Sequence, residues 1–281
     1  MEGRIATGII PVAGLGTRLA PMTRALPKGF FPLVCPDGSV RPVTDWIVRE
    51  AISAGCEQIC LVVSPGQDAM LREYFAGEAD LAGRIHYVTD VEPFGFGYAV
   101  WAARHVAGDG PVMVFLGDHV HLCPCGCGSP AAQVAEAFAA NGPAAMVGVQ
   151  IVRGETVERV GVCRGEPLEG FVYRCTRIVE KPTLSAAREF LVTPGLPKGK
   201  YLAHAGIYVF TAEIFDCLEP LVASRPEGAE VGLTEAQQEL LARHRQDYLL
   251  LRIEGMTYDM GTPAGYLATQ AALVLAAQMG K

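Results

Sequence analysis

Along the chain the hydrophobic positions change period again and again, and each change marks a boundary between a strand and a helix. Ile59-Cys60-Leu61-Val62-Val63 and Val112-Met113-Val114-Phe115-Leu116 are continuous apolar runs of strand length. That is the pattern of strands buried on both faces. Ile5, Ile9, Ile10 and Val12 supply another strand near the N-terminus, and residues 85–88, 145–152, 207–210 and 248–253 supply more. Between them the apolar spacing lengthens to that of helices. Val43, Trp46, Ile47 and Ala51 share one face of a helix over 43–54, ended by Gly55. Helices are also predicted over 69–75, 95–106 and 131–140. Thr234-Glu235-Ala236-Gln237 has the form of a capping box opening a helix through Leu241. Thr262-Pro263 fits an N-cap and first helical residue for a last helix, striped by Tyr266, Leu267, Ala271, Val274 and Leu275. Residues 159–179 read as a β-hairpin or meander, and 193–200 as a mobile loop. Strands alternating with helices predict an α/β fold with a mostly parallel sheet. No repeat or linker interrupts the chain, so residues 1–281 read as one domain.

The N-terminal strand runs into Ala13-Gly14-Leu15-Gly16-Thr17-Arg18. Gly14 and Gly16 let the backbone turn tightly and approach a ligand without Cβ interference. Such a loop aims several N–H groups into one concavity, which suits an anion. Arg18 adds a fixed charge with fork geometry for phosphate oxygens, and Lys28 a second cation. The loop is neither GxGxxG, since Leu19 follows, nor a P-loop, since no GKS or GKT follows. Asp118 stands directly after an apolar strand, where α/β sheets bind ligands, and Asp259 directly before the last helix. Helix capping explains either aspartate equally well.

Composition narrows the function classes. Half of the 281 residues are hydrophobic and 19% are charged, enough for a sizeable core. The net charge is −7 and no basic cluster of five or more occurs, which argues against a nucleic-acid partner. The N-terminus does not read as a signal peptide and no run approaches about 18 apolar residues, so no membrane span is expected. Nine cysteines, an odd number, are expected to be reduced thiols in the cytoplasm.

Gly14-Leu15-Gly16-Thr17-Arg18 followed by Pro27-Lys28 resembles the signature of the sugar-1-phosphate nucleotidylyltransferases, most closely the bacterial UTP–glucose-1-phosphate uridylyltransferases. The likeness runs from about Ile9 to Tyr266. It implies a Rossmann-like mixed sheet flanked by helices, of the nucleotide-diphospho-sugar transferase type, with a small β-rich sugar-binding portion. The implied reaction joins a nucleoside triphosphate to a sugar 1-phosphate and releases pyrophosphate. Arg18, Lys28 and Lys181 are then the catalytic cations, for the leaving pyrophosphate, the triphosphate and the sugar phosphate in turn. Ala13, Gly14, Leu15, Gly16 and Thr17 cradle the triphosphate, while Gly95 and Gly97 of Gly95-Phe96-Gly97-Tyr98-Ala99 border the base. Glu180 of Val179-Glu180-Lys181-Pro182 binds sugar hydroxyls beside Gly161 and Gly206. Asp118 and Asp259, the latter in Tyr258-Asp259-Met260-Gly261, hold Mg²⁺, a metal of hard oxygen ligands. Homodimers or homotetramers are the family's usual assemblies.

The sequence departs from that pattern in four places. Asp90, with Glu92 close by, replaces the glutamine that reads uracil; a carboxylate only accepts hydrogen bonds and matches the adjacent donors of guanine better. UTP is the family default and GTP the alternative. Gly29 follows Lys28 where a glutamate is usual, and Tyr98 replaces a histidine. His119, His121, Cys123, Cys125 and Cys127 offer metal donors but lack the CxxC spacing of structural zinc sites. A glycosyltransferase, which usually carries Asp-x-Asp, and a non-catalytic sugar-nucleotide-binding protein are the competing functions. A non-glucose sugar phosphate also fits the pattern.

Overall fold

The computed structural model describes residues 4–89, 94–123 and 128–279. Strand β1 (Thr7–Pro11) opens the chain and is followed by three short 3₁₀ turns, the last at Lys28–Phe30. A small hairpin of β2 (Pro32–Val34) and β3 (Val40–Pro42) leads into helix α1 (Val43–Ser53). There follow β4 (Gln58–Val63), α2 (Gln67–Ala76), β5 (Ile85–Thr89), α3 (Phe96–Ala102), α4 (Arg104–Ala107) and β6 (Val112–Phe115). This is the alternation read from the hydrophobic pattern, and β5, β4, β1 and β6 lie side by side in parallel.

Beyond β6 the pairing changes character. β7 (His119–Leu122) leaves the main sheet, and α5 (Pro130–Asn141) returns the chain to β8 (Ala145–Arg153). The strands β9 (Gly161–Pro167) and β10 (Val172–Glu180) form the expected hairpin, followed by α6 (Leu184–Phe190) and the long β11 (Lys200–Phe210). Helices α7 (Glu213–Ala223) and α8 (Leu233–Arg243) precede β12 (Tyr248–Arg252), β13 (Met256–Asp259) and α9 (Pro263–Met279). The nine-stranded sheet runs β5-β4-β1-β6-β11-β8-β12-β10-β9, and β13 pairs with β7 as a separate ribbon. The sheet is mixed, as expected: its N-terminal strands are parallel, and beyond β6 only the β8–β12 pairing is parallel among the described residues. β11 runs antiparallel to β6, β8 and β9, and β10 runs antiparallel to β9 and β12. A tight turn such as that between β9 and β10 joins only antiparallel strands.

Two apolar layers sandwich the sheet because neighbouring residues of a strand face opposite ways. Ile10, Leu61, Met113 and Phe115 pack under α1 and α5 with Ile47, Val48, Val134 and Phe138. Ile9, Cys60, Val62 and Val114 pack on the other face with Val100, Ile214, Leu218 and Leu240 from α3, α7 and α8. Each such residue, fully buried, contributes about 2 kcal/mol of transfer free energy. A smaller third cluster (Val157, Val162, Ala187, Leu191, Tyr201) supports the β-rich portion under α6. Residues 193–200, expected to be mobile, are pinned: the buried Thr193 hydroxyl accepts from Gly165 N at 3.1 Å, and Lys200 N donates to Pro197 O. Among the described residues no helix is long and apolar enough to cross a membrane.

Candidate active site

The glycine loop leaves the carboxyl end of β1, between the ends of β4 and β6, where an α/β sheet presents its ligands. Gly16 takes φ +62°, and a Cβ there would lie 3.0 Å from Thr23 Cγ2 and 3.3 Å from Lys28 Cβ. A Cβ at Gly14 would meet the Lys28 Cε and Nζ at 3.4 Å. Within the loop Ala13-Gly14-Leu15-Gly16-Thr17, Gly14 and Gly16 therefore flank the stem of Lys28. After β6 the chain runs hard against the end of β1: a Cβ at Gly117 would sit 2.1 Å from Pro11 O, so only glycine fits. That contact delivers the next residue, Asp118, to the loop.

Lys28 Nζ donates to Asp118 Oδ2 at 2.7 Å, with only 18% and 15% of the two side chains exposed. His119 Nδ1 is 3.1 Å from Asp118 Oδ1. Burial opposes charge on Asp118, but the His119 hydrogen bond and the Lys28 ammonium outweigh it and hold the carboxyl well below the usual carboxylate range. Asp259 arrives on β13, which pairs with β7 so that Asp259 faces His119. Its Oδ1 accepts from Gly261 N at 2.7 Å. A Cβ at Gly261 would lie 2.7 Å from Arg18 Nη2, 2.8 Å from Asp259 Oδ1 and 3.0 Å from Asp118 Oδ2. Arg18, Asp118 and Asp259 thus converge on one glycine. One donor atom each from Asp118, His119 and Asp259 lies within 4.8 Å of the others, a set able to hold a divalent ion.

The second half of the site lies at the end of β10. Glu180 Oε2 accepts from Thr234 Oγ1 at 3.0 Å, and Glu180 Oε1 is 3.3 Å from Lys181 Nζ. Lys181 holds φ +46°, a strained angle for a residue with a side chain. A Cβ at Gly161 would collide with His204 Nδ1 at 2.6 Å and approach Glu180 Oε2 at 3.1 Å. Its absence clears the space between them. Burial pulls the His204 pKa down to about 4 against the opposing charge of Glu180, so the imidazole is neutral. Its Nε2 is 3.1 Å from Cys163 Sγ. The Thr234 hydroxyl is not a helix cap: α8 begins one residue earlier, behind Gly232, and the hydroxyl is turned to Glu180 instead.

A short link joins the halves. Val231 N donates to Phe94 O at 2.6 Å, and Gly97 N donates to Val231 O at 2.9 Å. Side chains at Gly95 or Gly97 would strike Val231 O (2.7 Å) or Gly232 O (2.5 Å). The glycines entering α3 are thus fastened to the strand of chain that carries Thr234 to Glu180. Gly206, placed beside the sugar by resemblance, adjoins His119 at φ +84°, its Cβ position 3.0 Å from His119 Cδ2. His121 points away from the cysteine stretch. It is buried with Nδ1 2.9 Å from Glu50 Oε2 and Nε2 2.8 Å from Ala205 O, so neither nitrogen is free for a metal shared with Cys123. Asp90, Glu92, Cys125 and Cys127 lie outside the described residues. His204 has no signal in the sequence pattern, while His119, Thr234 and Gly261 take places other than the cysteine-linked metal donor, the capping box and the plain motif glycine that the pattern suggests. Gly261 and His119 each stand within two residues of an aspartate already singled out.

Comparison with known proteins gives the chain its relatives. A family described as nucleotidyl transferase matches residues 7–274. The UTP–glucose-1-phosphate uridylyltransferase of Bacillus subtilis (strain 168) is 32% identical over 95% of this chain and 90% of its own length. An enzyme of the same name from Staphylococcus epidermidis is 32% identical over 95% and 91%. Among solved structures, a UDP-glucose pyrophosphorylase complexed with UDP-glucose superposes with a TM-score of 0.79 at 25% identity, covering 96% of this chain and 99% of that one. A UTP-bound pyrophosphorylase from Acinetobacter baumannii superposes with a TM-score of 0.74 at 27% identity, covering 95% and 93%. With its glycine loop, two lysines and two aspartates placed as described, and nearly its whole length matched, this chain belongs to the nucleotidyl transferase family.

Proposed function

We propose that the chain joins UTP to glucose 1-phosphate and releases pyrophosphate. The observation that carries this reading is the convergence of Arg18, Lys28, Asp118 and Asp259 at the ligand end of the sheet, with Glu180 and Lys181 at the next strand end. A phosphate oxygen of the sugar forms a bond to the α-phosphorus as the bond to the β-phosphate oxygen breaks. The attacking oxygen is already anionic, so no general base is needed. Positioning and charge neutralisation dominate. Lys181 holds the attacking phosphate, Lys28 the α-phosphate, and Arg18 the leaving pyrophosphate. The backbone of Ala13–Thr17 cradles the triphosphate, while Glu180 accepts from sugar hydroxyls and Thr234 fixes its carboxylate.

The donor set of Asp118 and Asp259 fits Mg²⁺, which takes hard oxygen ligands. When bound it would neutralise charge on the phosphate oxygens. Cys35, Cys56, Cys60, Cys163, Cys175 and Cys217 form no disulfide, in keeping with a cytoplasmic setting. Leu267, Val274 and Leu275 of α9 and Val34 and Val40 of the adjoining hairpin expose apolar surface, in keeping with a homodimer or homotetramer.

Pyrophosphate release, scored over a panel of nucleoside triphosphates and sugar 1-phosphates with Mg²⁺, tests the reading. UTP with glucose 1-phosphate should give the highest kcat/KM. Highest turnover with GTP would move the assignment to guanine and to Asp90 or Glu92. No release with any pair would overturn it.

A further inference from the structure

His119 opens β7, and Asp259 stands opposite it on β13. Its Nδ1 is 3.1 Å from Asp118 Oδ1. Neighbouring ligands of an octahedral ion with bonds of about 2.1 Å lie about 3 Å apart. The two atoms therefore already have the spacing of adjacent ligands on one ion. The remaining contacts leave that arrangement open. Lys28 binds the other Asp118 oxygen, Oδ2, and Gly261 N occupies only Oδ1 of Asp259. The ring is held in place too: His119 N donates to Leu116 O at 3.2 Å, and the missing side chain of Gly206 makes room for the imidazole edge.

We infer that His119 Nδ1 is a third protein ligand to the ion held by Asp118 and Asp259, and that the site favours a divalent transition metal such as Mn²⁺ over Mg²⁺. An imidazole nitrogen is a softer donor than a carboxylate and suits first-row transition metals, whereas Mg²⁺ prefers an all-oxygen shell. In the loaded state the His119 proton sits on Nε2, because the ligating nitrogen must offer its lone pair. The inference rests on the proposed reading of the site for the presence of an ion. It adds a residue and a metal preference that the two aspartates alone do not carry.

Pulsed electron paramagnetic resonance of the full chain with Mn²⁺ and UDP-glucose tests it. The expected spectrum shows ¹⁴N modulation from a coordinated imidazole. Growth on ¹⁵N-histidine should convert that signal to ¹⁵N in the unsubstituted chain, so no variant needs to fold. His119→Asn should abolish the signal, weaken Mn²⁺ about 10-fold or more, and narrow the Mn²⁺-over-Mg²⁺ preference by a similar factor. Modulation from ³¹P of the nucleotide reports separately on the proposed function. Histidine nitrogen without ³¹P supports the ligand and counts against the substrate. Phosphorus without nitrogen keeps the substrate and overturns the ligand. Absence of both, or unchanged Mn²⁺ affinity in His119→Asn, also overturns it.

Discussion

Lys28 Nζ reaches Asp118 Oδ2 at 2.7 Å across 90 residues of chain, with both side chains largely shielded from water. On the proposed reading, the lysine is thereby stored on the carboxylate that holds the ion, ready for the phosphates. Asp118→Asn should lower turnover at least ~10²-fold, the size of one preorganised electrostatic contact. It should also cost about 2 kcal/mol of stability at pH 7. The carboxyl titrates well below its unfolded value of about 3.9, so its contribution is present above that pH and is lost as pH falls through the folded value. Denaturant melts of the two chains should therefore differ at pH 7, and the gap should begin to narrow only as the pH falls below about 4.

Gly261 is where Arg18, Asp118 and Asp259 meet. Its backbone angle is not left-handed, so alanine brings no backbone strain there, only a methyl group against three functional groups. Gly261→Ala should lower kcat about 10²-fold, the cost of displacing catalytic groups by about an ångström. Steady-state pyrophosphate release together with a thermal melt separates this from simple unfolding.

Gly29 occupies the position where related enzymes usually carry glutamate, and the packing explains why a side chain does not fit. A Cβ there would lie 2.6 Å from Thr44 Oγ1, and that hydroxyl donates to Gly29 O at 2.9 Å. Gly29→Ala should destabilise the chain by about 1–3 kcal/mol, and Thr44→Ala should relieve part of the cost. A double-mutant cycle by urea denaturation measures the coupling; additive losses would contradict this account.

His204 sets an acid limb of its own. Its folded pKa of about 4 lies below the unfolded value near 6.5, so the unfolded chain takes up the proton first. Stability should be full above pH 6.5, fall as the pH drops, and level near pH 4, with a total loss of about 3 kcal/mol from this group. His204→Gln should flatten that limb in a pH series of chemical melts.

How much of this was legible beforehand depended on the physical signal each part carries. Doubly buried strands such as β4 announce themselves as unbroken apolar runs, and the last helix announces its cap, since Thr262 Oγ1 does accept from Gly265 N. β7 was passed over because His119-Val120-His121-Leu122 looks like a polar metal-binding stretch. Its inward histidine is tolerated only because Glu50 waits for it from α1. β11 was read as its last four residues alone, because Gly206 and the register shift between His204 and Tyr208 break the pattern of a single long strand. The glycine loop with Arg18 and Lys28 stood out as residue types at a spacing, whereas Glu180 and the two aspartates stood out only through motifs that resemble a known family. The parts played by His119, Thr234 and His204 were not legible, since what sets each of them is a contact made by the fold.

The ribbon of β7 and β13 has a consequence for synthesis. Every strand of the nine-stranded sheet lies at or before Arg252, whereas Asp259 belongs to a strand that follows it. As the chain leaves the ribosome, every strand of that sheet is synthesised before Asp259, the aspartate proposed as a second metal ligand. Pairing of β13 with β7 joins residues more than a hundred apart in sequence, a contact made only after both strands have been synthesised. On the proposed reading of Asp259, the metal site is complete only once the final strand pairs with β7.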